Sequence, residues 1–80
     1  MQRLVNAKRK TVGMKQTTKA LERGQARIVF LAKDADEKVR RPVMEMCRVH
    51  GVPLEEVETM RELGKAGGIQ VPAAVAAIIE

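Results

Sequence analysis

The chain has 80 residues, of which 15 are Lys or Arg and 10 are Asp or Glu, so it carries a net charge of +5 at pH 7. A chain of this length forms one small domain, residues 1–80, and excludes a second domain or a deep catalytic cleft. It has no run of 18 apolar residues and no apolar segment behind its basic N-terminus, so we expect neither membrane contact nor a secretion signal. Its one cysteine, Cys47, cannot form an internal disulfide. We therefore expect a cytoplasmic protein.

The first third of the chain holds most of the positive charge. Residues 1–27 contain eight of the Lys and Arg residues and one acidic residue, which gives this segment a net charge of +7 against +5 for the whole chain. Residues 3–8 are predicted to form a short helix and residues 9–12 a short strand. A second helix follows over residues 14–23. Positive charge concentrated at one end of a chain is typical of a protein that binds a polyanion.

The predicted helix over residues 14–23 begins directly after Gly13. Lys15, Lys19 and Arg23 follow each other at steps of four, with Gln16 beside them. Free N–H groups at a helix start favour an anion, so we expect these cations to gather there around phosphate. The amide of Gln16 both donates and accepts, which allows it to read a base edge. A solvated basic helix face is the alternative.

Two strands and a long helix are predicted in the middle of the chain. The apolar run of residues 28–32 predicts a strand covered on both faces. Asp34 and Asp36 are expected to cap the helix that follows. Within that helix, Pro42 predicts a kink or the first turn of a second helical piece. Residues 54–57 are predicted to form a third strand.

Phe30 is the only aromatic residue, and its place in an apolar run predicts that it lies in the core. Proteins that bind single strands usually stack bases on exposed aromatic rings. The absence of such a platform favours a structured target, either a duplex or an RNA fold with exposed base edges.

The last quarter of the chain adds a helix, a loop and a strand. Thr59 and Glu62 have the spacing of a capping box, and Gly67-Gly68 predicts the end of that helix. After a loop, the apolar residues 73–79 predict the last strand. Strands alternate with helices along the chain, and the strands of residues 28–32 and 73–79 are expected to be buried on both faces. This pattern predicts an α/β fold with a mixed or parallel sheet between helix layers.

Three other patterns are weaker candidates for sites. Gly64-Lys65 lacks the remaining residues of a phosphate-binding P-loop. Cys47 and His50 are three residues apart, but no further Cys or His exists to complete a metal site. Asp34 and Asp36 are explained by helix capping. We therefore expect no cofactor, no metal and no catalytic group.

Three segments together resemble a known family. The segment from Gly13 to Gly24 resembles the RNA-contacting helix start of the kink-turn-binding ribosomal proteins, the superfamily of the archaeal "seven-Ae" and "thirty-e" large-subunit proteins. The segment from Leu63 to Ile69 is similar to the family's second RNA-facing loop, and residues 32–36 are similar as well. The resemblance covers essentially the whole chain and is greatest to the small bacterial YbxF-like branch.

This resemblance implies a three-layer α/β/α sandwich with a small mixed four-stranded sheet. It also implies a kink-turn target, a bent RNA built on tandem sheared G·A pairs. Where the family usually has Asn-Glu, this chain has Lys15-Gln16, which looks like the bacterial branch; Lys19 matches a family lysine.

The resulting prediction is a non-enzymatic, monomeric protein that binds a kink-turn in a ribosome-associated or regulatory RNA. Lys15 and Gln16 are expected at the G·A pairs, Lys19 and Arg23 on phosphates, and Ile69 against an unstacked base or, alternatively, in the core. The predicted RNA-binding residues are Gly13, Met14, Lys15, Gln16, Lys19, Arg23, Gly68, Ile69, Gln70 and Val71. Two alternatives remain open: a ribosomal structural component that contacts only the RNA backbone, and a small nucleotide- or ligand-binding module.

Overall fold

Helices and strands alternate along residues 2–79, the part of the chain that the computed structural model describes. The helices are α1 (Gln2–Asn6), α2 (Met14–Glu22), α3 (Glu37–His50) and α4 (Met60–Ala66). The strands are β1 (Lys10–Val12), β2 (Ala26–Ala32), β3 (Leu54–Val57) and β4 (Val75–Ile79). Every predicted element is present, with bounds that differ by a few residues.

The four strands form one mixed sheet in the order β1-β4-β2-β3. Strand β4 is antiparallel to both of its neighbours, with Ala77 opposite Thr11 of β1 and Ala76 opposite Phe30 of β2. Strands β2 and β3 are parallel, with Phe30 opposite Glu55. The ends of β1, β2 and β3 therefore meet the beginning of β4 at one end of the sheet, which we call the upper end.

A separate hydrophobic core lies on each face of the sheet, because successive side chains of a strand point to opposite faces. On β2, Ile28 and Phe30 point to the face covered by α1 and α4, whereas Val29 and Leu31 point to the face covered by α2 and α3. This arrangement confirms the predicted three-layer α/β/α sandwich with a mixed four-stranded sheet. It also confirms that Phe30 is buried.

Two strands begin at other residues than predicted. Strand β2 starts at Ala26, two residues early, because Ala26 pairs with Ile79 beyond an irregularity between Ala26 and Ile28. Strand β4 starts at Val75 rather than at Ala73, because the N–H of Ala73 donates to the carbonyl of Met60 at 2.9 Å and so belongs to the connection with α4.

The long helix α3 continues without a break through Pro42. Of the two predicted alternatives, the second helical piece is therefore wrong, and the kink stays a prediction. The cap of α3 is Asp36, whose carboxylate accepts from the N–H of Lys38 at 2.9 Å, as expected. The carboxylate of Asp34 instead accepts from the N–H of Met60 at 2.8 Å. Asp34 thus caps the start of α4, and the prediction that it caps α3 is wrong.

Two glycines of the last quarter allow close contact between elements. A Cβ on Gly64 would lie 2.1 Å from the carbonyl oxygen of Val71, and a Cβ on Gly67 would lie 2.6 Å from a methyl group of Val12. The first contact holds the returning loop against α4. The second holds the end of α4 against β1.

We expect Gly64→Ala to lower the free energy of unfolding. Alanine in a helix gains up to about 1 kcal/mol over glycine, but overpacking costs about 1–3 kcal/mol, and a backbone oxygen cannot move aside alone. Gly67→Ala is the matched control, because its obstacle is a side chain: Val12→Ala should restore the stability of Gly67→Ala but not of Gly64→Ala. Urea denaturation followed by circular dichroism measures the wild type, the three single variants and the two double variants. A Gly64→Ala variant as stable as the wild type would contradict the close contact.

Candidate functional site

Gly13 connects β1 directly to α2 at the upper end of the sheet. Its backbone has φ 101° and ψ 160°, a region that essentially only glycine adopts. Its N–H donates to the carbonyl of Val75 at 2.8 Å, and its carbonyl accepts the first helical hydrogen bond from Thr17 at 3.1 Å. The N–H groups of residues 14–16, which precede this bond, point out of the helix start, where they favour a negative charge.

A buried pair of hydroxyl groups fixes the orientation of α2. The side chains of Thr11 on β1 and Thr17 on α2 are both buried, and their oxygens lie 2.9 Å apart in a hydrogen bond. Leu21 and Val43 pack on the same side of the sheet. The face of α2 that carries Lys15, Gln16 and Lys19 is thereby directed to the outside.

The polar side chains of this face are free to bind a ligand. Lys15, Gln16 and Lys19 are exposed, and within residues 2–79 neither lysine forms an ion pair. Met14, also a predicted site residue, is half-buried and packs against the core below α2. Lys10 differs from these lysines, since its ammonium donates to the carbonyl of Leu4 at 3.3 Å and closes α1.

Arg23 is exposed but lies at the C-terminal end of α2. Nine residues separate it from the first residue of the helix, which is about 14 Å at 1.5 Å per residue. The expected gathering of all three cations around the helix start is therefore wrong for Arg23. Its contact with phosphate stays a prediction.

The second predicted segment begins where α4 ends. Gly68 has φ 87°, and this left-handed residue turns the chain so that the N–H of Gly68 reaches Lys65 and that of Ile69 reaches Gly64, each at 3.0 Å. This pair of bonds is the Schellman motif that satisfies the last carbonyls of a helix. The loop then runs back along α4, past Gly64, to β4.

The two apolar residues of this loop have different surroundings. Ile69 is half-buried and packs against the core beneath α4. The side chain of Val71 is 62% exposed, next to exposed Gln70 and Pro72. Ile69 was the residue expected against an unstacked base, but Val71 is the more accessible of the two.

The two segments lie side by side, although more than 50 residues separate them in sequence. Gly13 donates a hydrogen bond to Val75, three residues beyond the loop, and Val12 lies against Gly67 at the start of the loop. Since β1 and β4 are neighbours in the sheet, the start of α2 and the loop of residues 67–72 occupy one half of the upper end. We call this combined area the β1/β4 surface.

Acidic residues accompany the cations on the other half of the molecule. Lys33 pairs with Glu58 at 2.9 Å, and this hydrogen-bonded contact raises the pKa of the Lys33 ammonium. On α3, Arg40 pairs with Glu37 and Glu56, Arg41 with Glu37, and Arg48 with Glu45. Lys38 on α3 has no ion pair within the described residues, so unneutralised charge is not confined to one area, but Lys15 and Lys19 lie together on the β1/β4 surface without an acidic partner.

Two further cations border this surface and are absent from the predicted set. Arg61 and Lys65, one turn apart on α4, line an open depression of about 540 Å³ together with Ile69, Gln70, Val71 and Pro72. Their spacing of four residues in a helix next to a predicted RNA-facing loop was a signal that could have identified them.

A model of the ribosomal protein L7Ae/L30e/S12e/Gadd45 family matches residues 1–80. The chain belongs to this family. Similarity to individual proteins agrees: an RNA-binding protein of Geobacillus sp. strain WCH70 is 44% identical over 78 residues, which are 98% of this chain and 95% of that protein. RNA-binding protein YbxF of Geobacillus stearothermophilus is 38% identical, with the same coverage of 98% and 95%.

Solved structures of related proteins share the fold. The 15.5 kD RNA-binding protein of Giardia lamblia matches with a TM-score of 0.85 and 28% identity, over 96% of this chain and 65% of that protein's length. A Bacillus halodurans protein of unknown function matches with a TM-score of 0.84 and 25% identity, over 96% of this chain and 77% of that one.

Family membership confirms the resemblance drawn from the sequence. The L7Ae-type family and the bacterial relatives are non-enzymatic RNA binders, which also confirms the prediction that the protein is not an enzyme.

Other kinds of site have no support in the described part of the chain. No three His, Cys, Asp or Glu side chains of residues 2–79 come together as metal ligands. Cys47 is buried, which raises the pKa of its thiol, whereas His50 is exposed, so the two do not face one site. None of the helices in residues 2–79 has the length and hydropathy that crossing a bilayer requires.

We expect the Thr11–Thr17 pair to show strong coupling in a double-mutant cycle. Thr11→Val or Thr17→Val alone leaves one buried hydroxyl without a partner, which costs about 1–3 kcal/mol, whereas changing both is nearly neutral. Chemical denaturation of the four proteins gives the coupling free energy. Additive losses would show that the two hydroxyls do not depend on each other.

Proposed function

We propose that the protein binds structured RNA through the β1/β4 surface, and that its target is a kink-turn with tandem sheared G·A pairs. The observation that carries this proposal is the hydrogen bond from Gly13 to Val75 together with the close approach of Val12 to Gly67, which brings the start of α2 near the loop of residues 67–72. The exposed lysines of α2, the exposed amide of Gln16 and the exposed side chain of Val71 belong to this surface, which supports the proposal. The family and the RNA-binding relatives support an RNA partner.

The start of α2 supplies both kinds of contact that RNA recognition needs. Lys15 and Gln16 lie in the first turn, where the helix N–H groups draw a phosphate close and where the exposed side chains can reach base edges. Lys19 follows one turn later, positioned for a phosphate. In this proposal Lys15 and Gln16 contact the G·A pairs, while Lys19 and the more distant Arg23 contact the backbone.

The loop supplies an apolar contact. A kink-turn has an unstacked nucleotide beside its G·A pairs, and an exposed valine offers that base a dry surface without an aromatic ring. Val71 is exposed in the loop, and Gly68, also exposed, leaves the RNA room to come close. Gln70, between them, is available for a polar contact.

The proposal also covers the setting in which the protein works. Residues 1–80 act as one RNA-binding domain, as a monomer in the cytoplasm. The RNA partner is a ribosome-associated or regulatory RNA that contains the kink-turn.

A gel-shift titration with a kink-turn RNA and with the same RNA lacking its G·A pairs tests the proposal. The wild type should bind the intact motif much more tightly.

Gln16→Ala should weaken binding to the intact motif by about 1–3 kcal/mol, the value of a good bidentate base contact, and should affect the altered RNA much less. Lys19→Ala should weaken binding to both RNAs alike, since a phosphate contact does not depend on sequence.

Other results would favour the alternatives. Equal affinity of the wild type for the two RNAs would indicate contact with the backbone alone. Binding to neither RNA, combined with a rise in melting temperature on addition of mononucleotides, would indicate a small-ligand module.

The loop is tested with two serine variants. Val71→Ser should lower RNA affinity with little effect on the melting temperature, because the valine is exposed. Ile69→Ser removes a half-buried contact of about 1 kcal/mol and should lower the melting temperature by roughly 4–8 °C. Val49→Ser is the matched control, since Val49 is 65% exposed but lies in the last turn of α3. RNA binding by Val71→Ser at the level of Val49→Ser would exclude Val71 from the interface.

A further inference from the structure

Helix α4 presents two cations that the proposed contacts do not use. Arg61 and Lys65 are exposed and follow each other at a spacing of one turn. Within residues 2–79 neither of them has an ion-pair partner. Glu62, the acidic residue between them, is engaged in the helix cap, where its carboxylate accepts a hydrogen bond from the Thr59 hydroxyl at 3.3 Å and its N–H donates to the same oxygen at 3.1 Å.

The loop joins these cations to the β1/β4 surface. Arg61 and Lys65 line one side of the open depression of about 540 Å³, and Gln70, Val71 and Pro72 line the other. The close contact of Gly64 with Val71 fixes the distance between α4 and the loop. The helix that carries the two cations is therefore fixed in position next to Val71.

The cations of α4 and those of α2 belong to different faces of the molecule. Helix α2 covers one face of the sheet with α3, and α4 covers the other face with α1. The loop runs back along α4 to the start of β4, at the same end of the sheet where α2 begins. An RNA that rests on the start of α2 and on Val71 must continue past the loop before its phosphates reach Arg61 and Lys65.

We infer that Arg61 and Lys65 form a second phosphate-binding site, which holds the backbone of one helical arm where that arm leaves the kink. This inference rests on the proposed function and extends it: α2 and α4 hold different parts of the RNA, with the loop between them. Lys19 then contacts phosphates of the motif or of the other arm. The two groups of cations together hold the RNA in its bent form.

The test combines cation variants with shortened RNAs. Affinities of wild type, Arg61→Ala/Lys65→Ala and Lys19→Ala are measured over a range of salt concentrations for a full kink-turn and for two RNAs, each with one arm shortened. On the full RNA, the double variant should lower the slope of log K against log salt by about 1.5, which corresponds to two phosphate contacts. Its effect should vanish on one shortened RNA, on which the effect of Lys19→Ala persists.

Arg48→Ala controls for loss of net charge. Arg48 is an exposed cation in the last turn of α3, at the opposite end of the sheet, and its removal should leave the slope unchanged. Circular dichroism verifies that the variants are folded, as expected for exposed side chains.

A wild-type slope for Arg61→Ala/Lys65→Ala on the full RNA would overturn the inference. So would an effect that persists on both shortened RNAs, or one that vanishes on the same RNA as the effect of Lys19→Ala. Each of these results can occur while the wild type still binds the RNA with G·A pairs more tightly than the RNA without them. If the wild type binds the two RNAs equally, the proposed function itself is contradicted.

Discussion

Strand β4 pairs with two neighbours, β1 on one side and β2 on the other, and most of the architecture depends on this central position. Its pairing with β2 joins the end of the chain to the strand that is buried on both faces. Its pairing with β1 places Val75 where Gly13 donates a hydrogen bond to it at 2.8 Å. Because β4 lies next to β1, the loop that precedes β4 lies near the start of α2.

Small residues make the close approach of these elements possible. Strand β4 contains Ala76 and Ala77, both fully buried between the helix layers. Gly64 and Gly67 remove the side chains that would separate α4 from the loop and from β1. These small residues let the backbones of neighbouring elements approach closely.

Much of the fold could be predicted from the sequence, because its signals are local. The apolar run around Phe30 and the capping pair of Thr59 and Glu62 each act within a few residues. The role of Asp34 could not be predicted in the same way, since the carboxylate caps a helix 26 residues away. Its position directly before α3 indicates the nearer helix, and only the tertiary fold shows which N–H it reaches.

The candidate site shows the same division. The exposed polar row on α2 follows from helical spacing alone, and the exposure of Lys15, Gln16 and Lys19 agrees with it. The same spacing puts Arg23 about 14 Å from the helix start at 1.5 Å per residue, a distance that the grouping of the three cations overlooked. The contrast between half-buried Ile69 and exposed Val71 depends on how the end of α4 turns, and two apolar residues in a loop look alike in sequence.

The pairing of β1 with β4 also has a consequence for folding. Thr11 and Ala77 are partners in the sheet although 65 residues lie between them, and contacts of such high sequence separation form only after a large loss of chain entropy. The β1/β4 surface therefore does not form in a partly folded chain that contains only local helices. A ligand bound to that surface therefore stabilises the whole fold and shifts the global folding equilibrium, rather than the opening of a single segment.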